Sequence, residues 1–161
     1  MVAEVGSPAP EFTLPGTDST DAGRRDYTLR EYRGQVVVLV FYPGDSTAVC
    51  TRQLNSYNED IDSFTDASAQ VVAISPQSVA SHDEFSCKQG GFAFPLLADT
   101  DKSVGEAYGI LGPLGFYRRS VFVVDADGII RYAHRAVAGL TFRSSDELVA
   151  AVRSASPPEQ A

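Results

Sequence analysis

The hydrophobic residues of this sequence fall into short continuous runs that have the length of β-strands. Runs that are apolar throughout are typical of strands buried on both faces of a sheet. These runs cover residues 35–41, 70–74, 95–98 and 120–124, and a shorter one covers 12–14. Residues 129–133 form one more run, and the Asp125-Ala126-Asp127-Gly128 segment before it predicts a β-hairpin. We expect the first strand to end at Pro15-Gly16 and residues 16–26 to form a loop.

Between these runs, apolar residues recur at helical spacing. From Cys50 onward they are separated by four, three, four and three residues, which places them on one face of a helix. They are Cys50, Leu54, Tyr57, Ile61 and Phe64. Ser81 and Glu84 form a capping-box pattern that predicts a helix over 81–89, and Gly90-Gly91 predicts its end. Further helical segments are predicted at 28–32, 101–108 and 144–155.

The alternation of strands and helices predicts an α/β protein with a mixed central β-sheet flanked by helices. At 161 residues the chain has the size of one domain, with an irregular start at 1–10 and a frayed tail at 156–161. The sequence contains no internal repeat and no glycine-rich nucleotide-binding motif.

Charge and composition narrow the classes of partner. The net charge of −8 argues against nucleic acid and against an anionic membrane surface. The first residues resemble no signal peptide, and no apolar run is long enough to span a membrane. We therefore expect a cytoplasmic protein. It has only two cysteines, Cys50 and Cys87, and a disulfide in that compartment is more often catalytic than structural.

Cys50 is the first candidate for chemistry, because it lies in the first turn of a predicted helix that follows a buried strand. The thiolate is the nucleophilic form of cysteine, and the unpaired N–H groups and dipole of a helix N-terminus favour that anion. Thr47 is three residues earlier and can donate a hydroxyl hydrogen bond, while Pro43 fixes the chain as it leaves the strand. Arg118 or Arg119 can supply a positive charge.

Each of these features also has a purely structural interpretation. A cysteine on an apolar helical stripe is commonly a small core residue, and a threonine before a helix is commonly a cap. Other thiol chemistries fit less well. A disulfide reductase would have a second cysteine at Gln53, and a cysteine phosphatase would have arginine at Ser56. A Cys–His hydrolase or a zinc site would need His82 or His134, which are more often surface or structural residues.

The spacing Pro43-x-x-x-Thr47-x-x-Cys50 resembles the P-x-x-x-T-x-x-C signature of the peroxiredoxins. Three other segments resemble that family as well, so that the likeness extends over about residues 6–153. They are Ala9-Pro10-Glu11-Phe12-Thr13-Leu14, Phe94-Pro95-Leu96-Leu97-Ala98-Asp99, and Arg119-Ser120-Val121-Phe122-Val123-Val124-Asp125. Within the family the sequence looks most like the bacterioferritin-comigratory, or Q-type, branch.

This resemblance implies a thioredoxin-like fold with an N-terminal extension and a peroxidase without metal, haem, flavin or other cofactor. Cys50 is then the peroxidatic cysteine, which reduces hydrogen peroxide and organic hydroperoxides. Pro43, Thr47 and Arg119 complete the peroxide site, and Gln53 orients the arginine. A thioredoxin or glutaredoxin-like protein is the expected electron donor, and the branch favours a monomer over a dimer.

The same resemblance assigns the resolving cysteine. Many members of the branch carry it five residues after the first, where this sequence has Asn55. Other members carry it on the next helix, at a position that Cys87 matches. We therefore expect a Cys50–Cys87 disulfide and local unfolding of the 81–89 helix when it forms. A one-cysteine mechanism with an external thiol, and a redox sensor of the same fold, are the alternatives.

Overall fold

The computed structural model describes residues 3–18, 23–45, 48–136 and 142–155. They form a mixed seven-stranded sheet with helices packed on it, which confirms the α/β class. The strands are β1 (Thr13–Thr17), β2 (Arg25–Thr28), β3 (Val36–Phe41), β4 (Ala69–Ser75), β5 (Leu96–Ala98), β6 (Ser120–Val124) and β7 (Ile130–Arg135). The helices are α1 (Ala48–Glu59), α2 (Ile61–Asp66), α3 (Val79–Lys88), α4 (Ser103–Ala107) and α5 (Ser145–Ala155), with a 3₁₀ helix at Leu29–Tyr32.

The strand order is β2-β1-β5-β4-β3-β6-β7, so that β3 lies inside the sheet. It pairs in parallel with β4 and antiparallel with β6. All six residues of β3 are buried, as its continuous apolar run predicts. The C-terminal end of this strand is therefore surrounded by the end of β4 and the beginning of β6.

The two faces of the sheet have separate cores. On one face, Val36, Val38 and Val40 of β3 pack with the buried sides of α1, α2 and α5. On the other face, Val37 and Leu39 pack with α4 and with the N-terminal segment. The period of two along β3 thus sends alternate side chains to opposite helical layers.

The N-terminal region differs from the prediction. Strand β1 does not end at Pro15-Gly16 but continues through Thr17. Strand β2 covers residues 25–28, whereas the sequence predicts a loop through residue 26 and a helical segment from residue 28. Gly16 permits this continuation because a Cβ at its position would lie 2.8 Å from the carbonyl oxygen of Leu96. The close approach of β1 to β5 therefore requires glycine, a role that a turn-like Pro-Gly pair does not reveal.

Two helical predictions are corrected as well. The apolar stripe from Cys50 to Phe64 is divided between two helices, because α1 ends at Glu59 and Asp60 separates it from α2. Helix α3 begins at Val79 rather than Ser81, since the Ser78 hydroxyl caps it by accepting a hydrogen bond from the Ser81 N–H. The predicted end of α3 is confirmed, as Gly90 and Gly91 have positive φ angles.

Helix α5 offers a test of how the sheet is covered. Val152 is fully buried in the core and Val149 is half-buried at its margin. We expect Val152→Ala to lower the free energy of unfolding by about 2–3 kcal/mol through lost burial and a residual cavity. The matched change Val149→Ala removes the same atoms and should cost about 1 kcal/mol or less. Urea denaturation measures both, and equal losses would contradict this packing.

Candidate active site

Cys50 is the third residue of α1 and lies at the point where the chain leaves β3 and enters that helix. Its side chain is 0% exposed and belongs to the core on the α1 face of the sheet. The first turn of a helix has backbone N–H groups without intrahelical acceptors. A thiol in this position is therefore shielded from water and close to the positive end of the helix.

Arg119 reaches this region through strand pairing. Residue Ser120 of β6 is the register partner of Phe41, the last residue of β3. Arg119 therefore stands just beyond the end of β3, where its guanidinium is almost fully buried. Its Nη1 donates a hydrogen bond to Oε1 of Gln53 at 2.5 Å. Gln53 is three residues after Cys50, on the same face of α1.

The hydrogen-bond chain continues beyond Gln53. Its Nε2 donates to the hydroxyl of Tyr57 at 3.2 Å, and that hydroxyl donates to the carbonyl oxygen of Arg143 at 2.7 Å. Burial raises the pKa of Tyr57 to about 12, so the hydroxyl stays protonated and remains a donor. Sequence reasoning counted Tyr57 only as an apolar stripe residue. Its spacing of four from a buried glutamine was the available signal.

The two candidate arginines are distinguished by their partners. Arg118 is half-buried and its Nε donates to the carbonyl oxygen of Ala136 at 3.1 Å. Arg119 instead faces α1.

Pro43 lies half-buried in the bend after β3, next to the buried Gly44. Thr47, the remaining predicted member of the site, lies outside the described residues.

A second polar cluster joins the segment after β3 to helix α3, and the sequence analysis did not predict it. Asp45 accepts hydrogen bonds from the hydroxyls of Tyr42 and Ser81, at 2.7 and 2.6 Å. Nδ1 of His82 lies 2.8 Å from the same carboxylate, and both side chains are buried. We call Tyr42, Asp45, Ser81 and His82 the Asp45 cluster. It joins the loop that leads to Cys50 with the first half of α3.

Ionisation of Asp45 follows from this cluster. Burial opposes the charged carboxylate, but the hydrogen bond and the charge of His82, together with two hydroxyl donors, hold the pKa of Asp45 below its ordinary value. Loss of any donor would leave a buried carboxylate with fewer partners. These contacts therefore stabilise the ionised form of the buried Asp45 carboxylate.

Cys87 is in a different environment. It lies near the C-terminal end of α3 and is exposed, while Cys50 is buried, and no disulfide joins them. The adjoining residues are fixed to α1: Asn55 donates to Oε1 of Gln89 at 2.9 Å, and Asn58 donates to the carbonyl oxygen of Gly91 at 3.3 Å. The two thiols thus lie on separate helices and in different environments.

Neither a metal site nor a membrane-spanning helix is found in the part of the chain that the structure describes. Within these residues, no group of three or more histidine, cysteine, aspartate or glutamate side chains is arranged to hold a metal ion. No described helix has both the length and the apolar character needed to cross a membrane.

The chain is similar to known proteins both in sequence and in structure. The model of the AhpC/TSA family matches residues 5–133. Peroxiredoxin-2 of Rattus norvegicus is 36% identical over 136 residues, covering 80% of this chain and 68% of that protein. A thioredoxin peroxidase of Echinococcus granulosus is 36% identical over 138 residues, covering 81% and 70%.

A solved structure gives the same result. Peroxiredoxin Q of Xanthomonas campestris superposes with a TM-score of 0.78 and 33% identity, over 95% of this chain and 96% of that one. The similarity confirms the thioredoxin-like fold.

The lowered pKa of Asp45 predicts how acid acts on the loop. Since the folded pKa lies below the unfolded one, the stabilisation is complete at neutral pH and is lost as pH falls through the folded value. We expect Asp45→Asn to cost about 1–3 kcal/mol at pH 7, and the gap from wild type to narrow below about pH 4. Urea denaturation between pH 7 and 3 measures it, with exposed Asp127→Asn as control. A gap independent of pH would refute the assignment.

Proposed function

The chain belongs to the AhpC/TSA family, whose relatives are peroxiredoxins, and on that premise we propose that it reduces hydrogen peroxide and organic hydroperoxides through Cys50 and Cys87. The family indicates a thiol-dependent peroxidase. The observation that supports Cys50 as its nucleophile is its position: a buried thiol at the start of α1, with Arg119 held one turn further along by Gln53. Catalysis of this kind needs a nucleophile and fixed donors for the departing oxygen.

In the first step, the Cys50 thiolate attacks one peroxide oxygen and the O–O bond breaks. The other oxygen leaves with the bonding electrons and takes up a proton, as water or as an alcohol. Cys50 becomes a sulfenic acid. In this proposal, Arg119 and the N–H groups at the start of α1 stabilise the developing negative charge, as does the hydroxyl that the motif assigns to Thr47. Pro43 limits access of water to the thiolate.

In the second step, the Cys87 thiolate attacks the sulfur of the sulfenic acid. An S–S bond replaces the S–O bond, and the oxygen leaves as water after protonation. Because Cys50 is buried and Cys87 is exposed, this step requires local unfolding, and the C-terminal end of α3 is the element we expect to unwind. Among the described contacts, side chains of α1 bind Gln89 and the Gly91 carbonyl oxygen, just beyond this end of α3.

A dithiol protein then reduces the disulfide by thiol exchange and is itself oxidised to a disulfide. We propose a thioredoxin or glutaredoxin-like donor, a choice supported by the similarity to a protein named thioredoxin peroxidase. The similarity to Peroxiredoxin Q over nearly the whole of both chains supports the Q-type branch. With that branch we also propose a cytoplasmic monomer.

Intact mass after one equivalent of hydrogen peroxide tests the two-cysteine cycle. Wild-type protein should lose two hydrogens as the disulfide forms, and Cys50→Ser should show no change. Cys87→Ser should instead gain oxygen, as a sulfenic or sulfinic acid on Cys50. An unchanged wild-type mass would exclude the peroxidase. Oxygen gain by the wild-type protein would exclude Cys87 as its partner.

Gln53 provides a test of the arginine. Gln53→Leu removes the acceptor of Arg119, and we expect the second-order rate constant for peroxide to fall by about ten- to a hundredfold because the guanidinium loses its fixed position. Gln53→Glu restores an acceptor oxygen and should recover most of the rate. Stopped-flow single-turnover measurements give these constants. The control is Gln70→Leu, since within the described part of the chain the Gln70 amide donates to the neighbouring Val71 carbonyl and not to Arg119. Equal rates for both leucine variants would rule out this role.

A further inference from the structure

We propose that Asp45 is a positioning residue for the Cys50 reaction. In this proposal, its ion pair with a doubly protonated His82 holds the segment that follows β3 and leads to Cys50 against α3. This inference rests on the proposed function for its catalytic consequence. The structural part stands on the contacts of the Asp45 cluster alone. In this proposal Asp45 contacts neither peroxide nor the Cys50 sulfur, and it acts through the chain that leads from β3 into α1.

The cluster bridges two elements that are remote in sequence. Asp45 follows β3, five residues before Cys50, while Ser81 and His82 belong to the first half of α3. Both oxygens of the Asp45 carboxylate are engaged, one by the Tyr42 hydroxyl at 2.7 Å and the other by the Ser81 hydroxyl at 2.6 Å. His82 Nδ1 lies 3.0 and 2.8 Å from the two oxygens. The carboxylate is thus the common acceptor that joins loop and helix.

The second nitrogen of His82 indicates the charge of the ring. Nε2 lies 2.9 Å from the carbonyl oxygen of Leu97 in β5. Nδ1 also lies 3.3 Å from the Tyr42 hydroxyl, but that hydroxyl donates its one proton to Asp45 at 2.7 Å. Nδ1 and Nε2 therefore both face acceptors, and both can hydrogen-bond to them only when both carry protons. The ring is therefore the positive partner of a buried ion pair. It is also fixed to the sheet, which makes α3, β5 and the loop one connected unit.

The two members of a buried ion pair depend on each other for stability. Removing one partner leaves the other as an uncompensated charge away from water, which is strongly unfavourable. Tyr42 connects the pair to the reactive thiol: burial first, and then the charges of Asp45 and Cys50, raise the pKa of the Tyr42 hydroxyl. Tyr42 also belongs to the same buried core cluster as Cys50, so the Asp45 cluster adjoins the packing around the thiol.

Two rates should respond in opposite directions when the pair is broken. Reaction with peroxide requires the closed arrangement, in which Cys50 meets its donors. Alkylation of Cys50 by iodoacetamide requires an open arrangement, because the side chain is 0% exposed. A residue that only added global stability would not slow the peroxide reaction of the folded protein. The combination of a slower and a faster rate is therefore specific for a positioning role.

The test uses the full chain with Cys87→Ser, so that Cys50 is the only thiol measured. Adding Asp45→Asn should lower the rate constant for hydrogen peroxide by at least about tenfold and raise the rate of alkylation by at least about tenfold. The matched control is Asp83→Asn. Asp83 is the next residue of α3 after His82, but its carboxylate binds Thr17 and Arg24 rather than the loop. It should leave both rates within about twofold of the parent.

A spectroscopic measurement reads the ion pair directly. The chain has two histidines, so the imidazole ¹⁵N signals of His82 and His134 can be assigned by substitution of His134. At neutral pH we expect the signals of His82 to show both nitrogens protonated, and Asp45→Asn to convert the ring to a neutral form. If Asp45→Asn does not fold, Ser81→Ala removes one donor without changing charge, and should move both rates in the same directions by about threefold.

The outcomes separate this inference from the proposed function. If the parent protein does not react with peroxide, the function fails, while alkylation and the ¹⁵N signals still decide the role of the pair. If the parent reacts with peroxide but Asp45→Asn and Asp83→Asn give the same two rates, the positioning role is refuted. A neutral His82 ring in the parent would refute the ion pair.

Discussion

The antiparallel pairing of β3 with β6 is the interaction on which the site depends. Because Phe41 is opposite Ser120, the residue before β6 is placed beside the residues that follow β3. Arg119 thereby arrives at the start of α1, although almost seventy positions separate it from Cys50 in the sequence. A shift of this register by one residue would turn the arginine to the opposite face of the sheet. The position of the charge is thus set by backbone hydrogen bonds in the core.

The same core sets opposite demands on the two cysteines. Cys50 is buried because it belongs to the apolar stripe of α1. Cys87 is exposed near the C-terminal end of a ten-residue helix, and two glycines follow that end. Short helices have little stability of their own, which makes α3 the element that can connect these environments.

The sequence allowed much of this to be predicted, for reasons that are local. The apolar run of β3, the helical spacing after Cys50 and the Gly90-Gly91 stop each depend on neighbouring residues. Arg118 and Arg119 were both candidates for the positive charge, and the family resemblance selected Arg119. The same resemblance selected Cys87 as the expected resolving cysteine, because its relation to Cys50 depends on tertiary structure. The Asp45 cluster was missed for the same reason: its members come from a loop and a distant helix, and no spacing relates them. Strand β2 was missed because its polar residues lie at the sheet edge.

One contact of the site has a consequence for how the sequence can vary. The Tyr57 hydroxyl binds the backbone carbonyl of Arg143 rather than its side chain, and among the described residues the Arg143 side chain forms an exposed pair with Glu147. Any residue type supplies a carbonyl at that position, so the identity of residue 143 is open to neutral drift. The length of the segment is not, since inserting or deleting one residue before α5 would move the carbonyl away from Tyr57. At this place, selection acts on chain length instead of side-chain chemistry.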